Sequence, residues 1–339
     1  MNQHSLDKHH VHQAIQAVAR PAPAEPPSSA RTRVDPLNYR GITYSRISDV
    51  GRDDLLRRLA GLCHSEQRLV KEGHRMPPTT YLPCPDTDSS KPKFAAIVLD
   101  CEMAGTVEGQ NELIHLTLVD FVSGDVLQNC LVNPSKPIRN WREDITGISA
   151  AGMQQAVAKN EALHGWKAAR DELWRFADEE TILIGQSIHH DLKALHTYHS
   201  RIVDSAIITA DAVLRSGSRI RKRWGLETLC RELLGIQIRQ SSQTGDGLAH
   251  DALEDALAAR ELIVLCTLKP ERLEIWACAA RKAFFEKSDS KSKKLRAGSN
   301  QRKRVSQQKA REQEDIDEML TWEDVVDYEI WPKSPPDSD

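Results

Sequence analysis

Phe94-Ala-Ala-Ile-Val-Leu-Asp-Cys-Glu-Met-Ala-Gly105 is the stretch on which the fold of this chain turns. An apolar, β-type run ends in two carboxylates, Asp100 and Glu102, spaced i, i+2. Side chains alternate across a strand, so both leave it on the same face. Neighbouring carboxylates resist ionising together unless a cation lies between them, and oxygen donors of this kind suit hard divalent cations. A lone D-x-E tripeptide more often marks a solvated strand end. Further carboxylates arriving from elsewhere in the chain would decide the matter.

Outward from this run the pattern is densely αβ. Residues 94–100, 112–121 and 125–132 read as successive strands, with Ser123-Gly124 as a hairpin turn between the second and third. A helix is expected around 161–178, a short buried strand at Thr181-Ile-Leu-Ile-Gly185, a helix over 188–198, a strand over 202–208 and a last helix from His250 to about Thr267. Meander strands followed by alternating helices and strands imply an α/β fold with one mixed, five-stranded sheet flanked by helices.

Two later segments supply the carboxylates. In Gly185-Gln-Ser-Ile-His-His-Asp-Leu-Lys-Ala-Leu195, Asp191 falls one to two turns into a helix that starts just past a short buried strand, where ligands bind in α/β sheets. In His250-Asp-Ala-Leu-Glu-Asp-Ala-Leu-Ala-Ala-Arg260, Asp255 shares a helical face with Ala252, Ala259 and Leu262. A carboxylate on a small, apolar face is costly to bury without a cation. Small neighbours would also let that helix approach the sheet and bring Asp255 to Asp100. His250 precedes Asp255 by five residues, about 140° around an α-helix, so it belongs at the helix start or in the preceding loop, leaning over a metal site. That position suits a general base rather than a ligand.

The order Asp100-x-Glu102, then Gly-x-Ser-x-x-x-Asp191, then His250-Asp-Ala-Leu-Glu-Asp255-Ala resembles the DEDDh 3′–5′ exonucleases of the ribonuclease H-like fold. Leu-Asp-Cys-Glu-Met and His-Asp-Ala-Leu-Glu-Asp-Ala are similar to the eukaryotic Rex-type RNA exonucleases within them. The resemblance covers residues 94–268 and extends to Asp204-Ser205 and Leu234-Gly235-Ile236. His190 and Ala104 depart from the usual pattern without removing a catalytic side chain. What the resemblance implies is a metal-dependent 3′–5′ exoribonuclease. Asp100, Glu102, Asp191 and Asp255 would hold two Mg²⁺ (or Mn²⁺) ions about 3.5–4 Å apart, and neutral His250 would take the proton of the attacking water. The partner would be a single-stranded RNA 3′ end, with single-stranded DNA as the alternative substrate, and the product a nucleoside 5′-monophosphate. A catalytically inactive nucleic-acid-binding scaffold would lack one of these five side chains, and all are present.

Weaker signals surround this core. Met103 is placed either to wedge against a terminal base or to fill the core. Arg215, Arg219, Arg221, Lys222 and Arg223 lie beside Trp224, as a phosphate-tracking stretch or a solvated loop. Cys63, His64, His74 and Cys84 are spaced too irregularly to read as a zinc site. Structural hydrogen bonding is the expectation for His189, His196 and His199, and Ser187 reads as a helix N-cap.

Boundaries are expected at 1–40, a proline-rich disordered arm; 41–92, a small helical segment (leucines 55, 56, 59 and 62) and linker; 93–270, the exonuclease domain; 271–311, a basic extension; and 312–339, an acidic tail. Net charge is −3, but the charges are segregated: Lys291-Ser-Lys-Lys-Leu-Arg296 and Arg302-Lys-Arg304 read as a nuclear-entry signal or a phosphate-binding arm, implying nucleus or nucleolus and ribosomal RNA trimming by way of the resemblance. Nothing in the tails names a protein partner. No apolar run approaches the roughly 20 residues of a membrane span, and the first ten residues carry no secretory pattern. Seven scattered cysteines without a C-x-x-C fit reduced thiols.

Overall fold

In the computed structural model, which describes residues 37–77, 79–88, 90, 93–214, 223–240 and 249–299, the apolar run does not stop at Asp100. It forms an eleven-residue strand, Ala96–Thr106, buried along nearly its whole length. Asp100 and Glu102 therefore sit in mid-strand, and the tight burial rules out a solvated strand end. The arm up to residue 36, Arg215, Arg219, Arg221, Lys222, the Arg302–Arg304 run and the acidic tail lie outside the described residues.

This strand is central in a mixed seven-stranded sheet of order Ile202–Asp204, Ile182–Gly185, Ala96–Thr106, Asn111–Asp120, Val126–Asn133, Ala162–His164. Ile182–Gly185 runs parallel to it and Asn111–Asp120 antiparallel. The five expected strands are present, although the one expected over 202–208 ends at Asp204, where the helix Ser205–Leu214 begins. Two further ones, Ile138–Asn140 on the distal end of the central strand and Ala162–His164 at the edge, have three residues each, too short to show a period. The edge strand takes the first turn of the expected 161–178 helix, which begins instead at Gly165 and ends at Phe176.

Alternation sorts the central strand between two cores. Ala96 and Val98 face the helix Ala252–Leu268, together with Val119, Phe121 and Leu262. Ile97, Leu99, Cys101 and Met103 face the helices Gly165–Phe176 and His189–Ala194. Asp100 and Glu102 continue the first set, toward Ala252–Leu268. That helix is buried nearly all round, as its Ala- and Leu-rich composition requires.

Its cover comes from both ends of the domain. The hairpin Leu37–Tyr39 and Ile42–Tyr44, turning at Arg40-Gly41 with both φ angles positive, and the helix Asp49–Ala60 contribute Tyr44, Leu55 and Leu59 to the same core. Residues 37–40, expected in a disordered arm, and much of 41–92, expected as a separate segment, thus pack as part of the main domain. The helix Pro270–Ser299 likewise begins inside it: Trp276 and Ala277 are buried, and Arg281 donates to the Val213 and Ala212 carbonyls at 2.6 and 2.7 Å. Arg260, fully buried, ties these layers together, donating to the carbonyls of Phe121 (2.7 Å), Ser45 (2.7 Å) and Val122 (2.8 Å). The expected turn at Gly124 has φ +79°, which glycine adopts without strain, and a Cβ there would also press on the Leu37 side chain, 2.9 Å away.

Candidate active site

Three chain segments converge on the middle of the central strand. The neighbouring strand pairs with it only as far as Val98 and stops at Gly185. A Cβ on Gly185 would stand 2.9 Å from the Leu99 carbonyl oxygen, so glycine permits the chain to turn here against the strand. Ser187 follows with φ +56°. It is not the N-cap expected from sequence: Ile188 holds that position, and the Ser187 N–H is held by the Asp204 carboxylate at 2.9 Å. The turn delivers Asp191, in the first turn of His189–Ala194, to the free edge of the central strand. There its carboxylate accepts hydrogen bonds from the Cys101 backbone and thiol.

Asp255 arrives from the opposite side, one turn into Ala252–Leu268. Ala252, Ala256 and Ala259 are all buried and let the helix lie close to the sheet. Asp251 caps this helix through the Leu253 and Glu254 N–H groups at 3.0 and 3.2 Å, and is itself held by the Tyr39 hydroxyl at 2.8 Å and Arg40 at 2.9 Å. His250 lies just before the cap, outside the helix. Its Nδ1 stands 3.6 Å from Asp255 Oδ2, and its backbone N–H is fixed by the Ile145 carbonyl.

Electrostatics register the convergence. Burial first, then the charges of Asp255, Asp191 and Glu102, hold the Asp100 carboxyl well above its ordinary range, with Arg239 pulling the other way. Burial and Asp255 push Glu102 up to about 8 against the same arginine. Burial also raises Asp191, opposed by its hydrogen bonds. Each carboxyl is held up because its ionised form lacks enough positive charge nearby, and an all-oxygen donor set of this kind fits hard divalent cations. The residues present thus suit divalent metal ions, with Asp100, Glu102, Asp191 and Asp255 as the groups to hold them. His250 is pushed the other way, down to about 4, by burial and by Arg239, so its imidazole is neutral at neutral pH.

Arg239 is the residue that sequence reasoning missed. Its guanidinium meets both Asp255 oxygens, Nη2 at 2.7 Å and Nε at 3.3 Å, and its backbone N–H donates to Glu254 at 2.8 Å. Burial disfavours its charge, but Asp255, Asp100 and Glu102 outweigh that and raise its pKa. Nothing local marks it: it is a single arginine in a loop, at φ +59°, well before the third motif.

Glu102, Arg239 and His250 line a cleft of about 490 Å³, rimmed by Tyr39, Arg40, His115 and Asn129. Two sequence-nominated substrate contacts are spent elsewhere. Met103 is buried in the core with Cys101, Leu113 and Leu116, so it fills that core rather than a base stack. Arg223 is buried against Glu72, which also pairs with Arg68, and is not a phosphate-tracking side chain; Arg219 and Arg221 lie outside the described residues. His199 and His64 make the structural hydrogen bonds expected of buried histidines, to the Thr181 carbonyl and the Asp204 backbone.

Residues 97–263 match the RNase T exonuclease family. Small RNA degrading nuclease 2 of Arabidopsis thaliana is 30% identical over 173 residues, 51% of this chain and 34% of that protein. RNA exonuclease 3 of Saccharomyces cerevisiae is 29% identical over 165 residues, 49% of this chain and 36% of the relative. The matched stretch thus spans about a third of each of these relatives. Among solved structures, the Saccharomyces cerevisiae PAN2 pseudoubiquitin-hydrolase-RNase module aligns with a TM-score of 0.46 at 16% identity, covering 65% of this chain and 35% of that one. With four ordered motif carboxylates and a histidine gathered on a ribonuclease H-like sheet, the domain belongs to the DEDD-type 3′–5′ exonuclease superfamily, which has Rex-like RNA exonucleases among its members.

Proposed function

We propose that this chain removes nucleotides one at a time from the 3′ end of single-stranded RNA, releasing nucleoside 5′-monophosphates, with two Mg²⁺ ions at the carboxylate cluster. The observation that carries this is the meeting of Asp100, Glu102, Asp191 and Asp255 beneath a cleft that His250 also lines. When bound, such ions activate a water and stabilise the leaving oxygen. The chain's own part is to hold and orient them and to manage the proton. His250 turns Nδ1 toward Asp255, 3.6 Å away, which leaves Nε2 to take the water's proton. Its neutral imidazole is ready to do so at any pH well above 4. Arg239 and Arg40 add positive charge to the cleft, which favours a phosphodiester.

RNA as substrate is supported by the names of the relatives. The basic runs at 291–296 and 302–304 support a nuclear or nucleolar site of action, with trimming of ribosomal RNA precursors as the task. The test is a 5′-labelled RNA and a matched DNA oligonucleotide incubated with the protein in Mg²⁺, in EDTA, and with Asp100→Ala. A ladder shortening from the 3′ end of the RNA, absent in EDTA and in the variant, is expected. Undiminished cleavage by Asp100→Ala would sink the carboxylate mechanism, and preference for DNA would overturn the substrate. A fluorescently tagged chain confined to the cytosol, with the basic runs intact, would overturn the location.

A further inference from the structure

Behind the helix that carries Asp191 lies a second polar cluster, in which His74 and Asp204 are buried and His189 is half-buried. His74 follows the helix Glu66–Lys71, His189 opens His189–Ala194, and Asp204 ends the strand Ile202–Asp204. One ligand atom from each lies within 4.8 Å of the other two. His74 is 6% exposed and Asp204 is fully enclosed.

Three atoms of this cluster have no hydrogen-bond partner among the described residues: His74 Nε2, His189 Nδ1 and Asp204 Oδ2. The contrast within one carboxylate is informative. Asp204 Oδ1 is fixed by the N–H groups of Ser187 and Ala206, both at 2.9 Å, while Oδ2 receives nothing. His74 Nε2 stands 4.0 Å from it, beyond hydrogen-bond reach. Buried polar atoms are costly to leave without partners, and here three neighbouring side chains each carry one.

Two imidazole nitrogens and one carboxylate oxygen form a borderline donor set. Zinc binds such sets with three protein ligands and a water as the fourth, whereas Mg²⁺ and Ca²⁺ want oxygens. Ligands about 2 Å from a tetrahedral zinc lie roughly 3.3 Å apart, a modest contraction of the observed spacing. A layer of orienting contacts already surrounds the set: the His64 ring nitrogen accepts the Asp204 backbone N–H at 3.0 Å, and the two amides above hold the carboxylate plane.

We propose that His74, His189 and Asp204 bind a zinc ion, separate from the ions of the carboxylate cluster. It cross-links the chain before the central strand, the start of the helix His189–Ala194 and the end of the edge strand Ile202–Asp204. His189 precedes Asp191 by two residues, so the zinc sets the turn that presents this catalytic carboxylate. Zinc binding stands apart from the proposed nuclease activity, and metal content reports on it even if no RNA is cut.

The experiment is zinc stoichiometry by mass spectrometry on the full chain, purified from zinc-containing medium and dialysed into Mg²⁺ buffer. About one zinc per chain is expected, retained in the double variant Asp100→Asn, Asp255→Asn and lost in His74→Gln. Because His74→Gln could lower folding yield, His74→Cys serves as the second variant: a thiolate restores a ligand and should keep the metal. Cobalt exchanged into the wild-type chain should show the visible bands of a tetrahedral site, missing in His74→Gln. Folded wild-type protein with less than a tenth of a zinc per chain would overturn the proposal. So would zinc that leaves with the double variant, or that persists in His74→Gln.

Discussion

Two buried clusters share one short turn of chain and behave oppositely. On one side of it, Asp100, Glu102, Asp191 and Asp255 crowd negative charge under an open cleft, with Arg239 as a cation in their midst. On the other, buried His74 and Asp204 and half-buried His189 form a set without excess charge, each with an atom lacking a partner. The first is frustrated by excess charge, the second by missing bonds. A site that works on a passing substrate keeps its strain where solvent and ligand can reach it. One that braces the fold seals its strain inside. The two should therefore separate under mutation.

The largest effect expected is from Asp100→Ala. Loss of a metal-holding carboxylate removes several kcal/mol of transition-state stabilisation, hence on the order of 10³-fold or more in turnover, while the melting temperature in EDTA holds or rises because repulsion is relieved. His74→Gln should do the reverse, lowering the melting temperature by about 4–8 °C for a loss near 2 kcal/mol. Equal loss of stability in both variants would erase the distinction between the clusters. His250→Ala comes next, with turnover down about 10²–10⁴-fold and Mg²⁺ affinity by titration calorimetry little changed. A collapse of affinity would make His250 a ligand instead.

Glu102→Gln tests the charge frustration itself. Glu102 has its folded pKa raised to about 8 from an ordinary value of 4.5. A carboxyl raised on folding binds its proton more tightly in the folded state, so unfolding releases protons and stability falls as pH rises from 4.5 through 8. In EDTA, wild type should lose a few kcal/mol relative to Glu102→Gln across that window, by urea denaturation at each pH. A flat difference would mean that the charge is already neutralised. Arg239→Ala is the mildest: with the competing cation gone, Mg²⁺ should bind about tenfold more tightly, near 1.4 kcal/mol. Unchanged affinity would show that the guanidinium does not occupy ground the metal needs.

The same contrast explains what could be read in advance. Asp100 and Glu102 announce a shared face because strand alternation is fixed geometry. The small residues around Asp255 announce close packing, and a five-residue offset keeps His250 off its face. These are local rules. Arg239 obeys none of them, since its position depends on where a loop ends in space. His74, His189 and Asp204 come from three segments that have no common spacing. The hairpin at Leu37–Tyr44 escaped for a different reason: strands of three residues carry no period, and their identity comes from the helix they cover.

Arg260 has a consequence for the order in which the molecule is made. Its three acceptors, on Ser45, Phe121 and Val122, are synthesised long before the guanidinium that joins them. Until the helix Ala252–Leu268 has emerged, one face of the sheet is an uncovered apolar surface, and the hairpin and first helix have nothing to close upon. Contacts of such long sequence separation form late and expose the nascent chain to aggregation. Ribosome-bound chains halted before residue 252 should be cut readily by protease within the strands, and chains extended past residue 281 should resist. The last third of the domain is thus the part that licenses the first two thirds to fold.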